Sequence, residues 1–403
     1  MTTHIILFDN EVRGRLLPLT YTRPVADLRV GILTIKEKWE KWMKSKVSYI
    51  TQDYLAGEYP MEHGEVNYIV NGSAMPSEQL CKLLEQMDFS EAFLQGDELI
   101  AAKLNRQQLE RLIEDEDLSE LKGYDLQGTN FLKVNELYDL FRLNGAALAA
   151  DFAKLTKGRK SQPLSRTNQV IGRENIFLES GAKVECATLN ASTGPIYIGK
   201  NAEIMEGALI RGGLALGEEA VVRMGAKIYG STTIGPGSKV GGELKNVVIQ
   251  GNSNKAHNGY LSNSVLGEWC NLGAGTNVAN RKNNHAPIKL WNYEADRFLP
   301  TGLDECGLIM GDYAKSAVNT RFNTGTVVGV SANIFGSGFP RNFIPSFAWG
   351  GSRGFSTFRI DKAVEAADRA VQRRNRTLNV YERLIFLRVF EETEGYRMWE
   401  ELD

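Results

Sequence analysis

The sequence predicts two joined fold classes: an α/β amino-terminal domain and a left-handed parallel β-helix, followed by a carboxyl-terminal helix. Three observations predict them. Short apolar runs alternate with amphipathic stretches in the first third of the chain. An aliphatic residue recurs every six positions through much of the second half. The last stretch, Asp361 to Leu402, places Val380, Leu384, Leu387 and Phe390 three or four apart, as a helix would.

In chain order, "HIILFD" (His4–Asp9), "KVSYIT" (Lys46–Thr51) and "VNYIVNG" (Val66–Gly72) read as buried strands. "TIKEKWEKWMK" and "SEQLCKLLEQM" read as amphipathic helices, and "AFLQGDELIAAKL" as two strands around a Gly96–Asp97 turn. This alternation argues for a largely parallel sheet. Lys133 to Leu155 reads as one linking helix, and the polar, proline-containing "TKGRKSQPLSRTN" as a boundary. The expected division is 1–132 for the α/β domain, 133–165 for linker and boundary, 166–350 for the solenoid and 351–403 for the helical tail.

The repeat is explicit. Ile198, Ile204, Ile210, Leu216, Val222, Ile228, Ile234 and Val240 are consecutive positions spaced by six. If Ile, Leu and Val make up about a fifth of residues, such a run arises by chance on the order of once in a million frames. Small residues follow four positions after most of them: Ala202, Ala208, Ala220, Ala226, Thr232 and Ser238. The spacing returns at Leu266, Leu272 and Val278, then at Phe322, Val328 and Ile334. A period of six suits a three-sided coil, with aliphatic residues on the axis and small ones at the corners. A single coil cannot bury its own core, so coils must stack.

Composition narrows the function. At 403 residues, two domains are expected. Forty-seven basic and forty-nine acidic residues leave a net charge of −2, which argues against a nucleic-acid or membrane surface. The scattered cysteines, Cys81, Cys186, Cys270 and Cys306, read as free thiols of a cytoplasmic protein, with no leader or spanning helix.

The hexad frame breaks between Glu243 and Asn284, where a solenoid can extrude a loop. The break is expected to bring Arg223, Lys245, His257, Tyr260 and Asn271 onto nearby coils. One histidine beside two cations, a carboxylate and amides suits acyl transfer to an amine on a phosphorylated substrate. Arg223 and Lys245 would hold the phosphate, His257 would take the amine proton, and Glu243 could orient its ring. Each also has a plainer use: Arg223 and Lys245 as solvated edges, Asn271 as an asparagine stacked between coils. His63 and His285 lack a partner pattern. A three-histidine zinc site does not fit four histidines of which His4 and His63 lie in the other domain.

The stretch "KAHNGYLSNSVLGEWCNLGAGTNVAN" resembles the acetyltransferase domain of the bifunctional N-acetylglucosamine-1-phosphate uridyltransferase/glucosamine-1-phosphate N-acetyltransferase family. The resemblance implies His257 as general base, Glu243 as its orienting carboxylate, and Arg223, Lys245, Tyr260 and Asn271 as sugar-phosphate contacts. It further implies Ala274, Asn280 and Ser316 as acetyl-coenzyme A contacts, and a trimer with the acetyl site between subunits. Lys282 and Lys289 both match the family's last loop lysine, ahead of an apparent insertion, "LWNYEADRFLPTGLDE".

Near the amino terminus, "RLLPLTYTRP" (Arg15–Pro24) resembles the fingerprint that opens sugar nucleotidyltransferases, in a divergent bacterial branch with a hexapeptide tail. The preceding turn, "FDNEVRGR", holds only Gly14 where that family has a glycine-rich phosphate cradle, and Val25 stands where it has a lysine. Arg15, Thr20 and Arg23 are the nucleotide-site candidates, with Arg29 as a further compensating cation. Asn71 and Asp97 are the candidates near a metal, Mg²⁺ being the ion the resemblance implies. The plainer use of "PLTYTRP" is a loop between a strand and a helix.

Together these readings imply a trimeric enzyme. Its solenoid would acetylate glucosamine 1-phosphate, and its amino-terminal domain would transfer a uridylyl group, in synthesis of UDP-N-acetylglucosamine. The alternatives are a nucleotidyltransferase for another hexose 1-phosphate, such as a thymidylyltransferase with a regulatory β-helix, and a sugar-nucleotide-binding scaffold without turnover.

Overall fold

A computed structural model describes residues 3–115 and 121–399. Contacts divide the chain into two compact units. The first comprises Met1–Leu16, Arg23–Leu28 and Leu33–Asn135; the second comprises Leu17–Thr22, Arg29–Ile32 and Glu136–Asp403.

The first unit is a six-stranded sheet. Its strands are β1 (Thr3–Phe8), β2 (Lys46–Ile50), β3 (Val66–Asn71), β4 (Glu91–Gln95), β5 (Glu98–Asn105) and β6 (Lys122–Asp125), in the order β2-β1-β3-β5-β4-β6. The two anticipated helices form at Ile35–Met43 and Glu78–Gln86. Thr34 starts the first with a reciprocal capping box to Glu37, and the buried Trp39 donates its indole N–H to the Ala74 carbonyl at 2.9 Å. The sheet is less parallel than the alternation suggested. β1 runs parallel to β2 and β3, but β5 is antiparallel to both β3 and β4. The reason is local: Gly96, at φ +62°, allows the tight reversal that makes β4 and β5 a hairpin.

The second unit is built on the solenoid. Successive short parallel strands pair in register, for example Ile198 with Leu216 and Leu216 with Ile234. All eight hexad positions from Ile198 to Val240 are buried to 2% exposure or less, and the six small residues between them are fully buried. The result is the left-handed parallel β-helix expected from the repeat. Its coils are tight: a side chain at Gly235 would lie 1.9 Å from the Gln250 carbonyl oxygen.

Two other readings change. The expected single helix from Lys133 to Leu155 is two, Asp139–Arg142 and Asn144–Thr156, and Lys133 instead bridges to Ala74 within the first unit. The break coincides with Asn144, whose amide has work outside the helix: it accepts from the Gly31 N–H at 2.7 Å and donates to the Ser231 carbonyl at 2.8 Å. The tail forms helices Ile360–Gln372 and Val380–Glu392. The second buries Ile385, Phe386 and Val389, with Phe386 and Phe390 against Phe347, so Val380, Leu384 and Leu387 lie on its exposed side.

Candidate functional site

One edge of the solenoid and the face that runs from it gather most of the expected residues. The strands Lys227–Tyr229, Glu243–Gly251 and Tyr260–Glu268 stack in parallel, which sets Glu243 between Lys227 and Tyr260, and Lys245 between Tyr229 and Ser262. Ile228, Leu244 and Leu261 alternate inward and are buried, so Lys227, Tyr229, Glu243, Lys245 and Tyr260 face outward, while Ser262 in the same alternation is itself fully buried. Arg223 and His257 lie on the adjoining corners, both exposed. Gly242 makes the close stacking possible: it sits at φ +74°, and a side chain there would come within 2.9 Å of the His257 carbonyl oxygen. The next corner holds Ala274, whose carbonyl accepts from the Asn319 N–H at 2.7 Å. Asn271 lies just before that corner, in a ladder with Asn254, whose amide donates to it at 2.8 Å.

The polar contacts on this face are specific. The Tyr229 hydroxyl donates to Glu243 Oε1 at 2.7 Å, and the hydroxyl's own titration is raised by that bond, with burial adding to it. Among the described residues the His257 ring has no hydrogen-bond partner, Glu243 included. Lys245 pairs with Glu305 Oε2 at 3.2 Å. Asn263 also donates to that oxygen, at 3.1 Å, and to Asn280 at 2.8 Å, which joins Asn280 to the end of the same face. Burial would raise the Glu305 carboxyl, but the bonds from Lys245 and Asn263 hold it below the usual carboxylate range.

Two expected contacts fall elsewhere. Ser316 takes an axial position beside Leu272, is 4% exposed, and shares a hydrogen bond with Thr276, so its hydroxyl points into the coil and not toward a bound coenzyme. Lys289 begins an antiparallel hairpin, Lys289–Asn292 with Arg297–Pro300, that the insertion extrudes. The hairpin's base is pinched where the Cys306 N–H donates to the Asn280 carbonyl at 3.0 Å.

The sequence reading missed Lys255 and Glu305. Lys255 stands in the axial row next to Val240, 2% exposed, and its ammonium donates to the His257 carbonyl at 2.6 Å. Burial pushes it down to about 8. A break in the aliphatic row at 255, two residues before the histidine, was the available signal. Glu305 carried none, since its place depends on where the insertion returns.

At the amino terminus the fingerprint is built into packing. Leu17–Thr22 counts with the solenoid unit, Thr20 is fully buried, and Thr22 donates to Asp312 Oδ2 at 2.7 Å. Arg15 and Arg23 belong to the other unit, where Arg23 pairs with Asp27 at 3.6 Å. Arg29 does not compensate for the missing lysine. Its guanidinium donates to the carbonyls of Gln250 and Ile32, at 3.3 and 2.6 Å.

The residues near the expected metal position do not fit Mg²⁺. Asn71 is fully buried, and its amide oxygen accepts from the Ser73 N–H and hydroxyl at 3.0 and 2.7 Å. Asp97 lies exposed in the β4–β5 turn. No group of three His, Cys, Asp or Glu among the described residues is arranged to hold a metal. All four cysteines are free thiols, and no helix among the described residues is long and apolar enough to cross a membrane.

The chain thus combines an α/β unit with a hexapeptide solenoid that carries a histidine at one corner. Residues 5–160 match the sequence model of a family described as sugar nucleotidyl transferase. The bifunctional protein GlmU of Methanocaldococcus jannaschii is 32% identical over 113 residues, 28% of this chain and 26% of that protein. A bifunctional sugar-1-phosphate nucleotidylyltransferase/acetyltransferase of Sulfurisphaera tokodaii is 28% identical over 144 residues, 35% of each chain. An uncharacterized acetyltransferase, YaiX, of Escherichia coli is 26% identical over 148 residues, 36% of this chain and 64% of that one. The chain thus spans less than two thirds of the length of each of these relatives. It is a divergent relative of the bifunctional sugar-phosphate nucleotidyltransferase/acetyltransferases, and those relatives are transferases.

Proposed function

We propose that the solenoid transfers an acetyl group from acetyl-coenzyme A to the amine of glucosamine 1-phosphate. The observation that carries this reading is the convergence of Arg223, Glu243, Lys245, His257 and Tyr260 on one solenoid edge and the adjoining face. In the proposed reaction His257 takes the proton as the amine attacks the thioester carbonyl. The Ala274 N–H receives the developing oxyanion, its neighbours Gly273 and Gly275 giving theirs to the Ser316 and Asn258 carbonyls, and the intermediate collapses with loss of the coenzyme thiolate. Lys245 and Arg223 hold the sugar phosphate. A homotrimer, in which neighbouring copies complete the acetyl site and Asn280, Lys282 and the hairpin's Lys289 approach the coenzyme, belongs to the same proposal.

The amino-terminal unit would take the acetylated product to a sugar nucleotide, with uridylyl as the group transferred. A second reading, in which this unit binds a sugar nucleotide without turnover, is favoured by the burial of Thr20 and the pairing of Arg23 with Asp27.

The test is thiol release from acetyl-coenzyme A with glucosamine 1-phosphate, for wild type beside His257→Ala. Amine-dependent release that falls by about a hundredfold or more in the variant supports the acetyl-transfer reading. No release from the wild type overturns it. Pyrophosphate release from UTP and the acetylated sugar phosphate then separates the two readings of the amino-terminal unit.

A further inference from the structure

The carboxyl ends of the parallel strands β1 and β3 are where an open α/β sheet takes its ligands. Asn10 follows β1, Asn71 ends β3, and Glu98 begins the neighbouring β5. Glu98 Oε1 accepts from both amides, Asn10 at 2.8 Å and Asn71 at 2.9 Å. Its Oε2 is taken by the ammonium of Lys133 in a short ion pair. We infer that Lys133 is the resident cation of this site, standing where a divalent metal would be needed, and that the site formed by Asn10, Asn71 and Glu98 takes no divalent metal.

Three features fix the arrangement. Lys133 is not a surface lysine free to swing away, since its side chain is only 10% exposed. Its backbone is clamped on both sides: the Met75 N–H donates to the Leu132 carbonyl at 2.8 Å, and the Val134 N–H to the Ser73 carbonyl at 3.0 Å. The acceptors a metal would need are already spent. Asn71 gives its oxygen to Ser73, and each oxygen of Asp9, at the end of β1, already accepts one hydrogen bond, from the Val25 N–H at 2.9 Å and the Thr51 hydroxyl at 2.6 Å. Glu98 and Lys133 cancel each other's charge. A divalent ion would have to displace the lysine or share the carboxylate with it against like charge. Lys133 also keeps Glu98 charged: burial would raise the carboxyl, and the lysine with the two amides holds it low.

This inference concerns the amino-terminal unit and stands whether or not the solenoid transfers acetyl groups. The experiment is a calorimetric and melting titration of the full chain with MnCl₂, with EDTA as the control. The variants are Lys133→Ala and Lys133→Ala/Asn71→Asp. The wild type should show no saturable site at millimolar Mn²⁺ and the same melting temperature in EDTA. Each variant should melt lower, and the double variant should gain one saturable site whose occupation restores several degrees of melting temperature. Should Lys133→Ala not fold, Lys133→Gln/Asn71→Asp keeps a donor to Glu98 while removing the positive charge, and should show the same gain. A wild-type site that disappears in Glu98→Gln overturns the inference. So does a folded double variant, or a Lys133→Gln/Asn71→Asp chain, that stays silent to Mn²⁺.

Discussion

Lys255 is the residue where the solenoid's architecture and its chemistry meet. An ammonium in the aliphatic row is anchored on the His257 carbonyl at 2.6 Å. Because burial lowers its titration to about 8 from an unfolded value of 10.5, the folded protein binds fewer protons than the unfolded chain between those pH values. Stability therefore rises with pH across that window and is lost again as pH falls toward 8. At neutral pH the penalty is on the order of 3 kcal/mol, against about 1 kcal/mol for the hydrogen bond. Lys255→Met should therefore melt higher than wild type at pH 7, the difference shrinking as pH approaches 10.5. The same variant should lower acetyl-transfer kcat, since the corner bearing His257 loses its anchor. Equal kcat in both proteins would limit Lys255 to stability. Glu305 makes a separate prediction. It occupies the lysine proposed to bind phosphate, so Glu305→Gln should lower KM for glucosamine 1-phosphate by about two- to fivefold, the scale of a half-exposed ion pair, with kcat little changed.

At the scale of elements, the corners and the axial row respond differently to mutation. Gly242→Ala forces a positive φ and a clash with the His257 carbonyl. It should cost about 1–3 kcal/mol in chemical denaturation and depress turnover more than that loss of stability explains. Ile228→Ala, deep in the row, should cost about 2–5 kcal/mol and leave KM unchanged. These elements also show what a sequence reveals. The hexad row was legible because every coil must present an apolar residue to its neighbours, so packing repeats itself in the letters. The β4–β5 hairpin was legible from its Gly-Asp turn. Ser316 was misplaced because a small polar residue at an axial position looks, in sequence, like one aimed at a ligand. Glu305 and the Lys133–Glu98 pair were not legible, because each depends on where a loop returns after a long excursion, which no local pattern encodes. The break at Asn144 was hidden for a related reason: its amide answers to Gly31, Ser231 and Thr233, residues far away in the chain.

For the whole molecule, the proposed trimer predicts a light-scattering mass of about three chains, a closed cyclic assembly. A monomer with full acetyl-transfer activity would place the site within one chain. The path of the chain predicts something else. Gly31 sits at φ +82° with no room for a side chain beside Ala147 and Asp151, and its carbonyl accepts from Thr233 at 2.8 Å. Residues from the first tenth of the sequence thus complete the packing of the solenoid unit. A chain starting at residue 136 should expose that surface and melt well below the full-length protein, as read by differential scanning calorimetry.

The backbone passes from one compact unit to the other after residues 16, 22, 28, 32 and 135. A single recombination breakpoint therefore cannot deliver either unit whole. Descendants of this gene would inherit the pair together, and a lineage trading one unit for a foreign homologue would also have to rewrite two short segments within the first thirty-two codons. Exchange of either unit by recombination is thereby made costly, and substitution in place is the route the chain's path leaves open.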